Sequence, residues 1–122
     1  MERIRQVVHY RNYFEDFFEQ QKEKVKEKID YVLFVVSVAE RIPVKFFKHI
    51  EGTEGLYEIR VEHGGNIYRI FCCFDEGKLV ILFNGFQKKS QKTPPGEIEK
   101  ALKIKNEYFT EKLKAKTDGS KK

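Results

Sequence analysis

Arg60, in "LYEIRVE", and Arg69, in "IYRIF", lie on either side of a glycine pair, Gly64-Gly65. The planar guanidinium of arginine binds phosphate through paired N–H groups. Further along, "NGFQKKSQKTP" places Asn84, Lys88, Lys89 and Lys92 close together, with little apolar around the lysines. Two readings stand side by side. The charges are a solvated loop beside an ion-pair lattice, or they are a row of donors for an anion. A phosphodiester of RNA would give that row chemistry to do. Attack by the 2′-hydroxyl needs in-line geometry, stabilisation of charge at phosphorus, and proton transfer. Arginine and lysine supply the second directly, and an external scaffold can supply the first.

Other chemistry finds no support. His9, His49 and His63 are scattered, and no HxxxH or CxxC spacing exists, so neither a metal nor a cofactor is expected. GxSxG, Walker and GxGxxG patterns are absent. Cys72 and Cys73 are adjacent, which sends them to opposite faces of a strand. They read as small core residues and fit a reducing cytoplasm. The opening "MERIRQVVHY" lacks the apolar stretch of an export signal. The longest apolar run, "YVLFVVSVA", falls far short of the ~20 residues of a spanning helix, so no membrane partner is expected. The net charge is +5, and it is unevenly placed. Residues 1–55 balance ten basic against ten acidic side chains, whereas residues 56–122 hold fourteen against nine. Such a surplus favours an anionic partner.

The elements that position these residues follow from periodicity. "RQVVHYRN" reads as a strand. From Tyr13 the apolar residues Phe14, Phe17, Phe18, Val25, Ile29, Val32, Leu33 and Val36 recur at helical steps. Ile42-Pro43 interrupts that helix, and "PVKFFKHIE" reads as a second, short one. Three strands follow. "LYEIRVE" alternates, "HGGN" is a hairpin turn, and "IYRIFCCF" and "KLVILF" are apolar on both faces, as central strands are. Thr93 caps a last helix with Pro94 at its first position, and Ile98, Leu102, Phe109 and Leu113 mark its buried face. The expectation is one α+β domain over residues 1–113, in the order βααβββα. Its sheet is an antiparallel meander with helices packed on one face, and residues 114–122 form a frayed basic tail.

A two-residue loop at Gly64-Gly65 sets Arg60 directly opposite Arg69, on the face away from Tyr57, Ile59, Val61, Tyr68 and Ile70. Like charges so placed destabilise a sheet unless a carboxylate or a bound anion offsets them. Glu58 and Glu62 are diagonal neighbours that can do so. A two-residue turn at Glu76-Gly77 would add Asn84 beside Arg69, leading to Lys88 and the lysine loop.

Residues 55–101 resemble the RelE/ParE toxin superfamily, above all its phage-derived HigB-like branch. The resemblance rests on "GLYEIRV", "YRIF", "NGFQKKSQKTP" and "EIEKA" taken together. It implies a compact βααβββα fold and the toxin of a type II toxin–antitoxin pair. The activity implied is a ribosome-dependent endoribonuclease acting on mRNA, held in check by a cognate helix-turn-helix antitoxin. Carried over by position, Arg60 and Arg69 match basic sheet positions of RNA-cleaving members, and Lys88 and Lys89 match the basic exit of the last long strand, with Lys92 an added candidate. With Asn84 from the register argument, the expectation is Arg60, Arg69 and Lys88 as catalytic, and Asn84, Lys89 and Lys92 as RNA-phosphate contacts. No residue matches the late tyrosine or histidine of some members, and Tyr108 lies deep in the last helix. Relatives with this fold also poison gyrase without catalysis, and a degenerate toxin that only binds its antitoxin is a further alternative.

Overall fold

A computed structural model of the chain describes residues 2–89 and 93–120, with residues 118–120 described by their backbone alone. The order is β1 (Gln6–His9), α1 (Tyr13–Glu19), α2 (Glu23–Val38), β2 (Phe47–His49), β3 (Tyr57–His63), β4 (Asn66–Asp75), β5 (Leu79–Lys88) and α3 (Pro95–Ser120). The α+β class holds: the described residues form three helices and one five-stranded sheet in the order β1-β5-β4-β3-β2. All strand pairings are antiparallel except that of β1 with β5, which is parallel. The sheet is therefore a meander with an added parallel edge.

Two elements differ from the periodicity reading. The stripe that starts at Phe14 is divided between α1 and α2, because residues 20–22 offer no apolar side chain to carry it. Lys22 takes an extended conformation there and opens α2. The segment read as a second short helix is instead a turn followed by β2. Phe47 lies against Tyr57 with ring centroids 5.0 Å apart, and Lys48 pairs with Glu58. Covering the edge of β3 with backbone hydrogen bonds outweighs the local helix preference. The order consequently gains a strand.

Both faces of the sheet are covered, not one. Phe14 and Phe17 of α1, with Val25, Ile29, Val32 and Val36 of α2, pack on Ile59, Val61, Tyr68, Ile70, Cys72, Val80 and Leu82. The other face packs Leu56, Phe71, Cys73, Ile81 and Phe83 against Ala101 and Ile104 of α3. The strand alternation of β4 and β5 produced this directly, since strands apolar on both sides need two covers. Cys72 and Cys73 are free and buried, one in each core.

Helix α3 begins at Pro95, one residue after the expected start, and proline suits that first position. Its buried stripe runs through Ala101 and Ile104, with Ile98, Tyr108 and Phe109 alongside. Leu102 and Leu113, expected on that stripe, are exposed. The helix continues through residues 114–120, where composition suggested a frayed tail.

Candidate functional site

The hairpin fixes the centre of the site. Gly64 and Gly65 both take positive φ, 57° and 80°, so the loop has two residues and Arg60 stands opposite Arg69. Both project from the face away from α1 and α2, as the register argument required. Burial of Ile59, Val61, Tyr68 and Ile70 under those helices excludes the opposite phase.

Glu58 relieves the repulsion. Its Oε2 lies 2.6 Å from a terminal nitrogen of Arg69, and the two side chains are only 8% and 12% exposed. The contact is off the N–H direction, so this oxygen is neutralised without being hydrogen-bonded. Arg60 is more open, at 37%, and approaches Glu62 at 3.7 Å. The Nε atoms of both arginines are buried without a hydrogen-bond partner. Neither donor has an acceptor from the described protein residues, so both are open to an acceptor from outside.

Lys88 joins the cluster. Phe86 pairs with Arg69 and Lys88 with Ile67, so period-2 alternation puts Lys88 on the arginine face. Its ammonium is held below the ordinary lysine value, first by desolvation and then by Arg69, with Arg60 and Lys48 adding to the effect and Glu58 opposing it. Lys48, on β2, lies across from Glu58 and therefore on the same face. The sequence reading missed it, because a helix over that segment gives no register; alternation of Phe47, Lys48 and His49 was the available signal. Stacked Phe71 and Phe86, 5.7 Å apart, border the core under α3.

Asn84 does not stand beside Arg69. The loop between β4 and β5 has three residues, since Asp75 pairs with Leu79, and β5 then gains one residue in a bulge between Leu82 and Gly85. The two shifts slide Phe86 into the predicted place. Asn84 is buried and donates from Nδ2 to Glu97 at 3.4 Å. Lys89 does not join the arginines either: with Asn84, Gln20, Gln21 and Lys100 it lines a separate cavity of about 500 Å³. Lys92 lies outside the described residues.

A family model for "Phage derived protein Gp49-like (DUF891)" matches residues 16–106. The chain belongs to this Gp49-like family. The matched segment contains Lys48, Glu58, Arg60, Arg69 and Lys88 and reaches well into α3. Membership of this phage-derived family is compatible with the role of toxin in a toxin–antitoxin pair. No curated protein matches the chain. Among the described residues of this Gp49-like protein, no helix is long and apolar enough to cross a membrane.

A larger cavity, about 630 Å³, lies between Tyr10, Asp75, Tyr108 and Lys112. Its polar groups already satisfy one another. Tyr108 donates to Asp75 at 2.7 Å, and Lys112 does so at 2.8 Å. Burial and the Asp75 hydrogen bond push the Tyr108 hydroxyl up to about 12. Asp75 is six residues beyond Arg69 on β4, about 20 Å at the rise of a strand, so Tyr108 is no part of the arginine cluster.

Proposed function

We propose that this Gp49-like protein is a ribosome-dependent mRNA endoribonuclease, the toxin of a type II pair in the RelE/ParE superfamily and its HigB-like branch. The observation that carries the reading is the pairing of Arg60 with Arg69 around Glu58, with both Nε donors unsatisfied. A phosphodiester offers acceptors that suit these donors.

In this reading each member of the cluster has a role. Glu58 is the carboxylate at its centre and takes the proton of the attacking 2′-hydroxyl. The 2′-oxygen bonds to phosphorus as the bond from phosphorus to the 5′-oxygen breaks, leaving a 2′,3′-cyclic phosphate. Arg69 and Arg60 stabilise the charge that accumulates on the non-bridging oxygens, which is where preorganised donors contribute most. Lys88 gives its proton to the departing 5′-oxygen, and its lowered pKa suits a donor. The ribosome supplies in-line geometry by holding the messenger. A cognate helix-turn-helix antitoxin completes the pair.

Toeprinting on translating ribosomes tests the reading. Codon-linked cuts that vanish with Arg60→Ala support it. Loss of DNA supercoiling with intact messenger indicates a gyrase poison, and neither effect in the antitoxin-free protein indicates a degenerate toxin.

A further inference from the structure

The β2 side of the cluster is unexplained by a single phosphate. A cleft of about 280 Å³ is lined by Val44, Lys45, Lys48, Glu58, Arg60 and Arg69. That volume is below the roughly 300–1,000 Å³ of pockets that enclose a drug-sized ligand. It suits one unit of a chain passing through. Lys48 is exposed at its edge, and its charge reaches Lys88 across the sheet. Val44 is 80% exposed although apolar, and nothing in the fold requires an apolar group there. A cation and a bare apolar side chain on one rim match the two halves of a nucleotide: its phosphate and the flat face of its base.

We propose that residues 44–48 form a nucleotide subsite next to the reacting phosphate, with Lys48 on the neighbouring phosphate and Val44 against the base. The inference rests on the endoribonuclease reading and extends it. Single-stranded RNA crosses the sheet from β2 over Arg60 and Arg69 to Lys88, so the binding surface covers at least two consecutive phosphates. Lys45, beside Val44, adds charge at the entrance. The subsite belongs to β2 and the turn that leads into it, and is independent of the lysines after β5.

The test uses a fluorescent 2′-O-methyl RNA hexamer, which lacks the attacking hydroxyl, with anisotropy measured across salt concentrations. Lys48→Gln should flatten the log–log salt slope by about 0.7, the value for one lost single-strand phosphate contact. Val44→Ser should keep the slope and weaken binding severalfold. An abasic hexamer series should contain one position whose base matters to the native protein and not to Val44→Ser. Both side chains are exposed, so melting temperatures should not move. An unchanged slope in Lys48→Gln, or abasic profiles that coincide for native protein and Val44→Ser, overturns the subsite. Arg60→Gln separates the levels. If it alone flattens the slope, the subsite is wrong and the catalytic cluster stands. If the native protein shows no salt-dependent binding of the hexamer, the subsite is wrong, and the endoribonuclease reading is decided by toeprinting alone.

Discussion

Glu58 and Arg69 are ion-paired at 2.6 Å although Arg69 stands opposite Arg60, so one arginine neutralises a buried carboxylate while facing the cleft. Removing one partner of a buried pair strands the other, at a cost of about 3–5 kcal/mol. Arg69→Ala should therefore lower the denaturant midpoint as well as abolish growth arrest. Arg60, more exposed, should lose growth arrest on replacement by Ala with a stability change of about 1 kcal/mol or less. Glu58→Gln combined with Arg69→Gln should recover much of the stability that Arg69→Ala loses. Urea melts and a growth assay on the same variants decide the matter. A folded, fully toxic Arg60→Ala protein removes the cluster from catalysis.

Gly85 gives a second test, aimed at the bulge that directs Lys88. A Cβ at this position would lie 2.6 Å from the Phe17 ring. Overpacking of this kind costs about 1–3 kcal/mol. Gly85→Ala should be destabilised in that range, and Phe17→Leu in the same chain should restore part of the loss. Additive effects of the two substitutions, measured by urea denaturation, would show that the contact is not what keeps residue 85 a glycine.

The contrast between Arg69 and Asn84 shows which parts of the site the sequence carried. Arg60 opposite Arg69 was legible because a Gly-Gly loop admits one register and the alternation of Tyr57, Ile59 and Val61 fixes the phase. Asn84 was misplaced because a three-residue loop and a bulge each shift the register by one, and neither leaves a mark in residue type. Lys48 was lost to a different competition. "PVKFFKHIE" suits a short helix locally, and only the open edge of β3 makes it a strand. Leu113 continues the helical spacing of Phe109, yet α3 at that point has run past the core residues that cover Ala101 and Ile104, and its side chain is exposed. Local patterns record the faces of the strands and the Gly-Gly turn; the length of the β4–β5 turn, the bulge and the pairing of β2 with β3 are not encoded in them.

The joint of Asp75, Tyr108 and Lys112 ties α3 to the turn between β4 and β5, and it predicts a pH dependence. Burial raises the Asp75 pKa, but hydrogen bonds from Lys112 and Tyr108 outweigh that and hold it below the ordinary 3.8. A carboxylate with a depressed folded-state pKa contributes stability that is present above its unfolded value and is lost as pH falls through the folded one. Melting temperature should accordingly drop as the pH falls below about 4. Asp75→Asn should be less stable at pH 7 and should lose this part of the acid sensitivity. Thermal melts of both proteins between pH 2 and pH 7 are the measurement; parallel curves would mean that the joint adds no acid-labile stability.

Lys88 supplies the sharpest test of the proposed chemistry. Desolvation, then Arg69, Arg60 and Lys48, lower its pKa from 10.5, while Glu58 pulls the other way. As the proton donor to the 5′-oxygen it must be charged, so cleavage should fall as pH rises through this lowered value. Lys88→Gln should slow cleavage and remove that alkaline limb altogether. Lys48→Gln should keep the limb and move it to higher pH, because one repelling charge is gone. A lysine that only held a phosphate would behave differently, with Lys88→Gln weakening ribosome association and leaving the limb in place. Single-turnover cleavage of a programmed ribosome across the alkaline range separates the two, since chemistry is then read apart from binding. Persistence of the limb in Lys88→Gln would move the acid to another group.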